Sequence, residues 1–165
     1  MATALGDVPA NSQLGGLTDF TLGHLPGVAA SGNAAAGEVG ELVETAIATG
    51  GAISLVSGTP KTVMFVSLTA GDWDVEGRVT FKYNAATQSA DAQGCISGSD
   101  NVLITSGKEG YDNTRQVTTT SNKSISVPRQ RVSQSGTASW FLVAQATVSA
   151  GSVTAFGYIS ARRVR

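Results

Sequence analysis

The sequence predicts an all-β protein, an antiparallel β-sandwich of the jelly-roll kind preceded by an extended N-terminal arm. Three observations carry this. From Asp72 to Tyr83 apolar and polar side chains alternate almost without fault, the period of a strand with one buried and one wet face. From Ala52 onward, short runs rich in β-branched and aromatic residues are divided by Gly, Ser, Asn and Pro, the punctuation of successive strands. In residues 1–36 Gly, Ala, Ser, Asn and Pro interrupt every short apolar run, and Phe20 is the one aromatic.

At 165 residues the chain has the size of one domain plus an arm, divided here into an arm, residues 1–37, and a sandwich, residues 38–165. An arm with this little to bury cannot offset its own ordering entropy, so a partner surface is expected to order it. Its apolar side chains Leu14, Leu17, Phe20, Leu22 and Leu25 are the candidates for attachment. An apolar content of 41% with 14% charge is too apolar for disorder. No run approaches the roughly 18 to 20 apolar residues of a spanning helix, and the start lacks the basic and apolar regions of a signal peptide. A soluble protein that is not exported and does not meet a membrane is expected. A net charge of -1 argues against nucleic acid as a partner. The charge is uneven: Asp7, Asp19, Glu38, Glu41 and Glu44 stand without a Lys or Arg through residue 60, and all eleven bases follow. Two parts with different surroundings are implied.

Taking the elements in order, Glu38 to Ala48 fits a helical stripe through Val39, Leu42, Val43, Ala46 and Ile47, and equally a strand through Val39, Glu41, Val43, Thr45 and Ile47. Gly37, Gly40 and the β-branched residues favour the strand. Residues 52–57 and 61–68 read as short strands around Ser57-Gly-Thr-Pro60. Gly71-Asp72 turns the chain into the alternating strand, whose inner face is Trp73, Val75, Gly77, Val79, Phe81 and Tyr83. Weaker strands are expected at 92–97, 101–105, 116–120 and 124–132. Two long strands, 138–149 and 153–164, close the chain, joined by a hairpin at Ala150-Gly151-Ser152. They are apolar on both sides: Trp140, Leu142, Ala144, Ala146 and Val148 face one way, Phe141, Val143 and Thr147 the other. A strand buried on both faces of a small sandwich needs a second cover, and another subunit is the expected one.

No catalytic constellation emerges. His24, the lone histidine, lies in the arm, which gives a nucleophile's base no rigid frame. Asp72, Asp74 and Glu76 project side by side from one strand and share that face with Arg78 and Lys82, so they read as a solvated mixed-charge surface rather than a cation site or a facing acid pair. Gly37-Glu-Val-Gly40 lacks the lysine and helix of a phosphate loop, and Asn122-Lys-Ser124 is too common a motif to mark glycosylation here. Cys95, the single cysteine, allows no intrachain disulfide and is expected to fill a small buried site. Arg162, Arg163 and Arg165 end the last strand, where they can pair with acids of a neighbouring subunit or keep the strand end from pairing with another chain. No cofactor or metal is expected, and no enzyme activity.

Two segments are more specific. Val66-Ser-Leu-Thr-Ala-Gly-Asp-Trp-Asp-Val-Glu-Gly77 with Arg78-Val-Thr-Phe81, and the stretch from Trp140 to Arg165, resemble recurring parts of structural proteins of tailed bacteriophages and prophages. The Gly-Asp-Trp turn and a final hairpin also resemble the trimeric jelly rolls of the tumour-necrosis-factor and complement globular type. The resemblance covers residues 38–165. It implies a homotrimer packed through Trp140, Leu142, Phe156, Tyr158 and Arg163. It also implies a virion structural protein on the particle exterior, made in the host cytoplasm: a capsid decoration (cement) protein bound to the major capsid protein, or a fibre tip contacting a host glycan through loops near Ser106 to Thr114.

Overall fold

The structure, a computed structural model, describes residues 33–112 and 120–165. The candidate attachment residues Leu14, Leu17, Phe20, Leu22 and Leu25, together with His24, lie outside them. The compact unit Ala34–Arg165 is an antiparallel β-sandwich of strands β1 (Leu42–Ile47), β2 (Ile53–Leu55), β3 (Lys61–Leu68), β4 (Gly71–Ser97), β5 (Gly110–Asp112), β6 (Ser121–Gln134) and β7 (Ala138–Arg163), with one 3-10 turn at Thr49–Gly51. The ambiguous segment after Gly37 is thus a strand, β1, and the strands expected at 52–57, 61–68, 72–83, 92–97 and 124–132 all form.

Both layers of the sandwich are made from the same two long strands. β4 and β7 pair antiparallel from Trp73 opposite Arg163 to Ser97 opposite Phe141. Residues 71–83 of β4 and 153–163 of β7 form the first layer, flanked by β6 on one side and by β1 and β2 on the other. Residues 92–97 of β4 and 138–144 of β7 form the second, flanked by β5 and β3.

The expected hairpin at Ala150-Gly151-Ser152 does not form. Ala150 stands opposite Thr87 and Ser152 opposite Asn84, so the chain runs on through this point as one bent strand. Its partner supplies the bend: β4 takes eight residue steps from Asn84 to Ala92, while β7 takes six from Ser152 to Ala146. Extra residues on one strand of a pair bend and twist both. Gly151 has φ +76°, and a Cβ there would run into the backbone of Ala85 and Ala86. A positive-φ glycine suits a reversal and a bend equally well, which is why the sequence read as a turn. A buried network holds the corner: the Tyr83 hydroxyl donates to Gln88 Oε1 at 2.8 Å, and Gln88 Nε2 donates to the Asp112 carbonyl at 2.9 Å.

The inward faces meet in one core, with Trp73, Val75, Val79, Phe81 and Tyr83 from the first layer and Met64, Val66, Ile96, Leu142 and Ala144 from the second. Each large side chain so buried stabilises the fold by about 1.5 to 3 kcal/mol. Leu142 reaches across to the first layer, its Cδ1 lying 3.1 Å from where a Cβ on Gly77 would be.

The expected strand at 101–105 is a loop instead. Its polar groups bond to side chains rather than to a ladder: Asn101 and Thr62 exchange two hydrogen bonds of 2.9 Å, each backbone N–H donating to the other's side-chain oxygen. The Ile104 N–H donates to Cys95 Sγ at 3.3 Å. The chain from Gly98 to Glu109 thereby lies against the outward side of the second layer. The strand expected at 116–120 falls almost wholly outside the described residues.

Candidate interaction surface

The outward side of the first layer carries the exposed chemistry. Along β4 it presents Asp74, Glu76, Arg78, Thr80 and Lys82, the polar half of the alternation. Along β7 it presents Phe156, Tyr158, Ser160 and Arg162, each opposite one of these. Tyr158 pairs with Ala46 on its other flank and remains 40% exposed; Phe156 is half-buried. Asp74 is tied to two arginines. It receives Arg131 Nε at 2.7 Å and Arg129 at 3.4 Å, and a shallow depression beside them brings Glu44, Glu76, Arg129 and Arg162 together. Exposed pairs of this kind contribute about 0 to 1 kcal/mol each, so they shape a recognition surface more than they stabilise the fold. Among the described residues no group of three or more His, Cys, Asp or Glu is placed to hold a metal ion.

The structure separates the five residues expected at a trimer contact. Phe156 and Tyr158 share this open face. Trp140 is half-buried on the inward side of β7, its ring 3.7 Å from where a Cβ on Gly98 would be. Leu142 is fully buried in the chain's own core. Arg163 is equally internal: its guanidinium lies 4.3 Å over the Trp73 ring, Nε donates to Glu41 Oε2 at 3.0 Å, and the two terminal nitrogens donate to the Ala70 carbonyl and Thr69 Oγ1. Arg165 pairs with Asp72 at 2.6 Å. Arg163 and Arg165 therefore find acids within the same chain. The reason is local geometry: β7 ends where the Gly71-Asp72 turn begins, and Gly71, at φ +138°, has no Cβ to block the Arg163 guanidinium.

No family model matches the chain, and no curated protein does. Among solved structures it is similar to a chain of the T13 infectious bursal disease virus particle, at TM-score 0.47 and 14% identity over 75% of this chain and 31% of that one. A chain of the Gx strain of that virus gives TM-score 0.46 and 13% identity over 75% and 32%. This chain thus spans about a third of the length of each.

Electrostatics follow the same division. The Gly37 N–H donates to Glu41 at 2.7 Å, and with Arg163 beside it this holds the Glu41 carboxyl below its ordinary value against the opposing effect of burial. Asp72 is likewise held low, by its hydrogen bond with Ser133 and by Arg165. Burial pushes the Tyr83 hydroxyl up to about 12 and raises the Cys95 thiol, which makes Cys95 a poor nucleophile in the small buried site expected for it. Sequence reasoning missed Glu41, Gln88 and Asp112. Glu41 lies in a periodic segment whose pattern gives a strand but not its distant arginine, Gln88 sits in a polar stretch with no periodic signal, and Asp112 contributes a backbone carbonyl, to which its residue type gives no clue.

Proposed function

We propose that the chain is a virion structural protein of the capsid decoration or cement type. Its sandwich body self-associates, as a homotrimer, through the open face around Phe156 and Tyr158, and its N-terminal arm binds the major capsid protein lattice on the exterior of the particle. The observation that carries this reading is the asymmetry of the body. The outward face over Cys95, Ser97 and Val143 is covered by the chain's own loop, with Phe65 of β3 left exposed beside it, while among the described residues the other outward face presents two aromatics among charges of both signs, the composition of an interface rather than of an active site. The two segments that resemble phage structural proteins lie side by side as the central β4 and β7 pair, which supports treating the resemblance as one of the whole body. An arm buried only in the assembled shell would stabilise that shell by mass action.

Two measurements test it. Deleting residues 1–36 should leave a folded, self-associating body that no longer coats particles; coating by the truncated protein overturns the arm's role. Protein-gel abundance in purified particles should show hundreds of copies, whereas a few tens would favour a receptor-binding fibre tip that uses the same body.

A further inference from the structure

Among the described residues, the sandwich is open along one side. Both β1 and β3 hydrogen-bond to β7, on the same flank but in different layers, and no strand among the described residues pairs with the outer edge of either. Between the two edges lies a groove of 490 Å³ lined by Val43, Thr45 and Ile47 of β1 and by residues 62–67 of β3, with no charged side chain in its lining. Among the described residues the edge of β3 is protected by Lys61 at its start, by Asn101 accepting from the Thr62 N–H, and by a bulge at Val63, which leaves the stretch from Met64 to Ser67 uncapped. Its Phe65 is 52% exposed. Two strand edges above an apolar floor form a seat for an added strand, in which main-chain hydrogen bonds give affinity and alternate side chains fill the floor.

We infer that the occupant is the Phe20–Leu25 segment of a neighbouring copy of this chain. Thirty-two residues precede the described body, far more than is needed to leave its surface. Among them Phe20-Thr-Leu22 places two large apolar side chains at the strand period with a polar one between, and Asp19 is the nearest charge. An uncharged strand suits a groove that offers no ion partner. The chain enters the body through a turn pinned by Gly40 N–H donating to the Arg163 carbonyl and by the Arg163 N–H donating to Glu41. In the self-association proposed above, a neighbouring copy supplies this segment. The inference rests on the self-association proposed above and adds to it a strand exchanged between bodies, leaving Leu14 and Leu17 for the shell.

The test uses two tagged forms of the full chain, one carrying Leu22→Cys and the other Thr45→Cys, mixed and mildly oxidised without particles. A disulfide-linked species bearing both tags is expected, and adding Phe20→Asp to the first form should reduce its yield about tenfold or more. A cross-link that forms only when both cysteines share one chain, or none in either arrangement, overturns the proposal. Hydrogen exchange gives a second reading: the amides among residues 63–67 that point away from β7 should exchange about tenfold faster in the Phe20→Asp chain than in the unaltered one, and equal rates overturn it. Because both readings are taken on purified protein, failure to bind particles would count against the cement reading alone.

Discussion

The two outward faces of this sandwich are built on the same pair of strands and are finished differently. On the second layer Cys95, Ser97 and Val143 point away from the core, yet are no more than 1% exposed, because residues 98–109 fold over them. On the first layer, among the described residues, Phe156 and Tyr158 point outward with only their strand neighbours beside them. A strand that is apolar on both sides therefore does not by itself identify a subunit contact. Half of β7 is covered by its own chain, and the expectation that another subunit covers it holds as a proposal for the other half alone.

That contrast can be broken most severely by placing a charge on each face. Val143→Asp buries a carboxylate beneath the loop and should cost about 3 kcal/mol or more, while Phe156→Asp on the open face should cost about 1 kcal/mol or less. Urea denaturation of the two variants measures the difference. Next in size is the corner that joins the layers: Gln88→Ala strands the buried Tyr83 hydroxyl and the Asp112 carbonyl and should destabilise by about 1 to 3 kcal/mol.

Loosening the cover should have a smaller effect. Ile104→Ala removes a half-buried side chain from the loop that lies on Cys95, at about 1 kcal/mol, and the thiol should then react several-fold faster with a disulfide reagent under native conditions. Acid acts at the strand ends. Glu41 and Asp72 are held below their ordinary values of 4.5 and 3.8, so their contribution is present at neutral pH and is lost as pH falls below those values. The loss of stability between pH 7 and pH 3 should shrink in Glu41→Gln. The smallest change in folding stability, within about 0.5 kcal/mol, is expected for Tyr158→Ala, whose effect should appear instead as weaker self-association in sedimentation.

The alternation from Asp72 to Tyr83 was legible because a strand with one wet face writes its period into the sequence, and every inner residue it named is buried. Cys95 was legible for a different reason, since a free cysteine is among the residues most often buried, and it is buried here. Asp74 was legible as part of a mixed-charge face, whereas Asp72 is buried; the arginine partners of the two lie 55 to 93 residues away along the chain, and no local pattern announces them.

What the sequence determined by itself is the fold class, most strand positions and the inner face of β4, because these follow from local periodicity and side-chain shape. Tertiary structure alone decided that Gly151 bends a continuous strand, that Arg163 folds onto Trp73 and Glu41 of its own chain, and that a loop covers Cys95, Ser97 and Val143 while, among the described residues, Phe156 and Tyr158 stay uncovered. Each depends on which distant segments meet: a glycine's torsion, an arginine's charge and an apolar strand face each allow several partners, and only the completed packing selects one.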